Sequence, residues 1–187
     1  LLIIQGGIAL PLTIWLARAH ENELRWTESA FRSATQKKTT TSFNLEQPER
    51  VAILMTTFNG GKYLDLQLTS IANQNHTNWE LHISDDGSTD QTLKIIKEFQ
   101  NRTTNKVILY KTENNLGFVN NFFSLIDKDI KADYFMLADQ DDIWCSEKTS
   151  RSLTYLKSQD LAHPALYCGR TQLIDMHDKF KGKSQLF

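Results

Sequence analysis

Two hydrophobic periods take turns along residues 50–187. Val51-Ala52-Ile53-Leu54-Met55 is wholly apolar, the pattern of a short strand buried on both faces. Leu64, Leu68, Ile71 and Ala72 then recur at helical spacing across residues 62–73, behind an Asn59-Gly60-Gly61 turn. Residues 79–84 return to strand alternation, with Leu81 and Ile83 on one side and Glu80 and His82 on the other. Ser88-Thr89-Asp90-Gln91 reads as a capping box ahead of a helix carrying Leu93, Ile95, Ile96 and Phe99. Further strands are predicted over 106–110, 134–138 and 165–168. Between them, an Asn/Gly loop over 114–121 leads into a short helix through Phe122, Phe123, Leu125 and Ile126, and Ser146 caps a helix running to 158. Strands alternating with helices predict an α/β fold with a mostly parallel sheet.

The rest of the chain reads differently. Residues 1–17 are strongly apolar, interrupted by Gln5 and Thr13 and weakened as a helix by Gly6, Gly7 and Pro11. A spanning helix needs about 20 apolar residues, so this run is just short. Arg18, Arg25, Arg32, Lys37 and Lys38 follow it, which would leave the remainder in the cytoplasm. Residues 1–32 are thus a candidate membrane helix or a buried helix of an upstream region. Residues 33–49, rich in Ser, Thr, Gln and Lys and closed by Pro48, read as a linker, and 50–187 as the compact domain. The opening at Leu1 and the stop at Phe187 after a strand-like run lead us to expect a fragment, truncated on its C-terminal side.

Composition excludes more than it assigns. With 40% hydrophobic and 23% charged residues among 187, the chain has ordinary globular usage and room for one well-buried domain. A net charge of −1, with no Lys/Arg run longer than Lys37-Lys38, argues against a nucleic-acid partner. Cys145 and Cys168 stand alone, with neither disulfide framework nor metal-ligand spacing, so a reduced, cytoplasmic setting is expected.

The candidate chemistry lies where the strands end. Thr56-Thr57-Phe58-Asn59 follows the first predicted strand, Asp85-Asp86-Gly87-Ser88 the second, Asn114-Asn115-Leu116-Gly117 the third and Asp139-Gln140-Asp141-Asp142 the fourth. A parallel sheet brings such turns together along one rim, where ligands of open α/β sheets bind. Carboxylates as dense as the last cluster raise one another's pKa unless a cation sits between them. An extended Asp-x-Asp puts both side chains on one side, and hard oxygen ligands suit Mg²⁺ or Mn²⁺ carried with substrate phosphates. A carboxylate after the second strand suits a base N–H or ribose hydroxyls, and Phe58 offers an aromatic face. No GxxxxGK[ST] and no GxGxxG is present, and Ile143 breaks the EF-hand pattern. Taken singly, the clusters also read as a turn with a helix cap, a plain loop and a solvated acidic loop.

Together these residues resemble the family 2 glycosyltransferases with the GT-A fold. The resemblance runs through residues 51–60, Gln74, 83–90, Asn115-Leu116-Gly117-Phe118 with Asn120, and 138–144. The stretch 118–123 and the Asp-Gln-Asp-Asp-Ile-Trp ending look most like bacterial rhamnosyltransferase-type members. The resemblance implies a GT-A, Rossmann-like sheet flanked by helices and a site for a nucleotide-diphosphate sugar, dTDP- or UDP-linked. It implies that Thr56, Thr57, Phe58, Asn59, Asp85, Asp86, Gly117, Asn120, Asp139 and Gln140 hold the donor. Asp141, with Asp139, would bind Mg²⁺ or Mn²⁺ and stabilise the leaving diphosphate. It further implies inverting transfer to a glycan or lipid-linked acceptor, at the inner face of the cell membrane. The family's acceptor-side base normally lies further on, and neither Asp175 nor Asp178 sits where it is expected. An inactive donor-binding half is therefore expected. A non-catalytic nucleotide-sugar-binding remnant is the alternative, and a nucleotidyltransferase a weaker one.

Overall fold

A computed structural model describes residues 3–6, 48–159, 164–175 and 179–184. The elements in chain order are β1 (Ile3–Gly6), β2 (Val51–Thr57), α1 (Leu64–Ala72), β3 (Trp79–Asp85), α2 (Thr92–Arg102), β4 (Val107–Lys111), α3 (Phe118–Ile126), β5 (Tyr134–Ala138), α4 (Lys148–Lys157), β6 (Leu166–Gly169), β7 (Gln172–Ile174) and β8 (Phe180–Lys183). The first six strands form one parallel sheet in the order β4-β3-β2-β5-β1-β6. The chain runs outward from β2 through β3 to β4, then returns to place β5 on the other side of β2. That reversal creates a switch point between β2 and β5, where adjoining loops part and leave a crevice.

Every residue of β2 and β3 is buried, as a parallel sheet covered on both faces requires. One face carries Ile53, Met55, Leu81, Ile83 and Met136 against Leu64, Leu68 and Ile71 of α1, Ile96 and Phe99 of α2, and Leu153 and Leu156 of α4. The other face carries Ala52 and Leu54 against Leu125 of α3. Fully burying a side chain of this size stabilises the fold by about 1.5–3 kcal/mol, so the two sheet faces hold the rim loops to a rigid base.

The expected strands and helices are present with shifted ends, and the shifts have local causes. Thr56 and Thr57 continue β2 because they pair with Ser84 and Asp85 of β3. The helix expected after residue 121 begins at Phe118, directly behind Gly117, whose φ of 76° suits only glycine comfortably. Ser146 does not cap α4; Gln74 Oε1 instead accepts the Thr149 N–H at 3.0 Å and its hydroxyl at 2.9 Å. Likewise Asp90, not Ser88, satisfies the start of α2, accepting from Thr92 N–H at 2.9 Å. The β7–β8 antiparallel hairpin was not expected from the pattern. Within the apolar segment expected over 1–32, residues 3–6 form a strand between β5 and β6. The remainder of that segment, and 33–47 of the expected linker, lie outside the described residues. No helix among the described residues is long and apolar enough to cross a membrane.

Candidate functional site

The four loops expected to converge do meet. They surround a cleft of about 500 Å³ lined by Thr56, Thr57, Phe58, Asp86, Asn115, Gly117, Phe118, Asn121, Asp139, Gln140 and Asp141. Its walls include the ends of β2 and β5, the two strands that flank the switch point.

The first loop is held by side chains at four consecutive backbone N–H groups. Gln140 Oε1 accepts from Phe58 at 3.0 Å, Ser88 Oγ from Asn59 at 2.8 Å, Thr92 Oγ1 from Gly60 at 2.9 Å and Asp90 Oδ2 from Gly61 at 2.9 Å. Asn59 adopts φ 48°, a left-handed geometry that Asn tolerates, and its Oδ1 accepts the Thr89 N–H at 2.9 Å. Asn59 therefore ties two loops together and does not line the cleft. The Phe58 ring, 47% exposed, stands at the rim.

The paired acids after β3 are both engaged within the protein. Asp85 lies beneath the cleft: its carboxylate accepts from the hydroxyls of Thr57 at 2.9 Å and Ser88 at 2.6 Å and from the Ser88 N–H at 2.9 Å. Asp86 does line the cleft, and it accepts from Leu116 N–H at 2.7 Å, Gly117 N–H at 2.9 Å and the Thr112 hydroxyl at 3.1 Å. It thereby fixes the third loop.

At the start of α3, Asn121 and not Asn120 faces the cleft. Asn120 is exposed, donates to the Leu116 carbonyl at 2.9 Å and does not line the cleft. Asn121 does, at 1% exposure, with Nδ2 donating to the Ser84 carbonyl at 3.0 Å. Its Oδ1 has no hydrogen-bond partner among the described residues. The sequence signal was present in the inward series Asn121, Phe122, Leu125, but ending the loop at 121 concealed it. Asn115 and Phe118 also line the cleft without having been singled out as site residues.

The acidic loop is electrostatically strained. Asp139 is 6% exposed, and burial pushes its carboxyl up to about 8, with the charges of Asp142 and Asp141 adding and Lys148 opposing. Burial raises Asp142 to about 6, against the pull of Lys148 and with the push of Asp141. Burial in turn lowers Lys148 to about 8, opposed by Asp142 and Asp139. Its ammonium lies 4.1 Å from the centre of the Trp144 ring, a cation–π contact. Among the described residues no three His, Cys, Asp or Glu side chains converge into a complete metal cage. Two cleft-lining carboxylates, Asp139 and Asp141, fit a hard divalent cation that brings the rest of its shell as phosphate and water.

Comparison with known proteins bears on this architecture. The model of the family described as Glycosyl transferase family 2 matches residues 52–185. The dTDP-rhamnosyl transferase RfbG of Shigella flexneri is 38% identical over 105 residues, covering 54% of this chain and 36% of that protein. The putative teichuronic acid biosynthesis glycosyltransferase TuaG of Bacillus subtilis is 26% identical over 112 residues, 60% of this chain and 44% of that one. Among solved structures, residues 1–349 of S. aureus TarS in complex with UDP-GlcNAc are similar with a TM-score of 0.53 and 25% identity, over 58% of this chain and 31% of that one. The mannosyltransferase PcManGT of Pyrobaculum calidifontis, solved with GDP-Man and Mn²⁺, shares the fold with a TM-score of 0.54 and 16% identity, over 80% of this chain and 44% of PcManGT. The chain thus spans about a third to 44% of the length of these relatives.

Proposed function

The chain belongs to glycosyl transferase family 2, and on that premise we propose that its cleft holds a nucleotide-diphosphate sugar for inverting transfer to a glycan or lipid-linked acceptor at the cytoplasmic membrane face. The observation that carries this reading is the convergence of an aromatic rim, a fixed Asn/Gly loop and two carboxylates, the buried Asp139 and its neighbour Asp141, on one cleft at the switch point. A dTDP- or UDP-linked donor is favoured, because RfbG is a dTDP-rhamnosyl transferase and TarS binds UDP-GlcNAc.

In this reading Phe58 packs against the base. The Asn115–Gly117 backbone, held by Asp86, closes on the nucleoside. Asp139 and Asp141 would hold Mg²⁺ or Mn²⁺ at the diphosphate end of the cleft. When bound, the cation acts as a Lewis acid on the departing nucleoside diphosphate, whose charge grows in the transition state. Asp139 must be ionised to serve, and the cation supplies the opposite charge that its burial lacks. Among the described residues the cleft-lining acids are Asp86, Asp139 and Asp141. The first is engaged by the third loop and the other two by the cation, so none is left to deprotonate an acceptor hydroxyl.

Calorimetric titration with UDP, dTDP, GDP and ADP in the presence of Mn²⁺ tests the reading. Binding of UDP or dTDP at least about tenfold tighter than GDP and ADP supports it; no binding of any nucleotide overturns it.

A further inference from the structure

Gln140 sits between the two acids of the Asp-x-Asp, yet its amide is turned to the first loop. Its Oε1 accepts the Phe58 N–H at 3.0 Å and its Nε2 donates to the Phe58 carbonyl at 3.2 Å. The two residues are 82 positions apart, so this is a paired backbone clasp across the mouth of the switch point. The clasp depends on a missing side chain. A Cβ on Gly60 would lie 2.2 Å from Gln140 Oε1 and 2.6 Å from its Cδ. Gly60 otherwise has firm ties: its N–H donates to Thr92 Oγ1, and its carbonyl accepts the Tyr63 and Leu64 N–H groups that open α1. Gly60 cannot retreat without disturbing two elements, whereas the Gln140 amide is the free end of a flexible side chain.

We propose that Gln140 is a positioning residue that sets the place of the Phe58 platform relative to the acids at the diphosphate end. The proposal rests on the reading of the cleft as a nucleotide-sugar site. The other three tethers of the first loop come from Ser88, Asp90 and Thr92 and fix it to the segment after β3. Gln140 supplies the tether to the acidic loop, and it acts on Phe58 itself. Base and diphosphate are joined in one ligand of limited reach, so the platform and the acids must keep a matching spacing to bind both ends together. With its acceptor and a donor both occupied by Phe58, the Gln140 amide supports the donor through Phe58 more than by touching it.

Two variants remove the clasp from opposite sides. Gln140→Ala deletes the amide, and Gly60→Ala expels it while leaving Gln140 in the chain. Each is measured in the full 187-residue chain for binding of UDP, uridine and pyrophosphate with Mn²⁺, and for the ¹⁹F shift of bound 5-fluoro-UDP, which reads ring current from Phe58. Losing the set position of the platform should weaken UDP and uridine binding about five- to twentyfold. Pyrophosphate binding should stay within about twofold of wild type. The ¹⁹F shift should collapse toward that of Phe58→Ala, and the double variant Gln140→Ala/Gly60→Ala should be no weaker than either single one. Unchanged uridine affinity and ¹⁹F shift in both variants, beside a wild type that binds UDP, overturns the clasp role alone. Equal loss of uridine and pyrophosphate overturns it too, by marking a general structural effect, which thermal melting would register. A wild type that binds no nucleotide overturns the cleft reading and the clasp role with it.

Discussion

Asp86→Asn is expected to cost about 2 kcal/mol of stability, because the carboxylate is already employed by the third loop. One oxygen accepts from Leu116 N–H at 2.7 Å and Thr112 Oγ1 at 3.1 Å, the other from Gly117 N–H at 2.9 Å. Hydrogen bonds to a charged group contribute roughly 1.5–3 kcal/mol each and neutral ones about 1. The amide can keep its oxygen toward Leu116 and Thr112, at reduced strength, but then turns a donor toward the Gly117 donor. That N–H retains Asn115 Oδ1 at 3.0 Å, which limits the damage. The sum is one bond lost and two weakened, about 2 kcal/mol; Asp86→Ala, which loses all three, should cost roughly 4. Urea unfolding followed by tryptophan fluorescence reads this directly. With a slope of about 2 kcal/mol/M, the Asn variant should unfold about 1 M earlier. A midpoint shift under about 0.2 M, together with a hundredfold loss of uridine affinity, would refute the reasoning and assign the carboxylate to the ligand.

Three further outcomes follow from the same geometry. Burial holds the Asp139 carboxyl near 8, so its contribution to stability declines as pH rises from the ordinary carboxylate range toward 8. In EDTA at pH 8, Asp139→Asn should therefore melt above wild type, and a lower melting temperature would contradict the strain. For Glu80, burial raises the pKa, but the His82 hydrogen bond and charge and the Lys106 charge outweigh it and leave it lowered. A depressed carboxyl stabilises above its unfolded pKa of about 4.3 and loses that effect as pH falls through the folded value. Glu80→Gln should accordingly flatten the fall in urea midpoint below about pH 4.3, and an unchanged acid limb would refute it. Phe58→Ala should weaken uridine binding by about five- to tenfold while leaving the urea midpoint unchanged, since the ring stands at the rim.

Sheet order aside, much of this fold was legible along the chain, because β2 and β5 are short apolar runs and the helices between strands keep their spacing. The convergence of four polar clusters was legible for the same reason, since parallel strands present all their carboxyl ends to one rim. What the pattern hid were non-local partners. Nothing near Asp85 and Asp86 announces that Thr57, Leu116 and Gly117 claim their oxygens. Nothing near Thr149 announces that Gln74, 75 positions earlier, caps α4. That Asn121 rather than Asn120 lines the cleft is a matter of helix phase: one residue is about 100° of rotation, and the start at Phe118 decides it. The strand Ile3–Gly6 was unreadable because so short a run fits a helix as readily as a strand.

The most direct test of the account is UDP or dTDP binding to wild type and Asp141→Asn, each with Mn²⁺ and with EDTA. The account expects tight binding only for wild type with Mn²⁺, and weak, similar affinities in the other three cases. Equal binding by the two proteins, or binding untouched by EDTA, would contradict the assignment of Asp141 and Asp139 to a metal that holds the diphosphate.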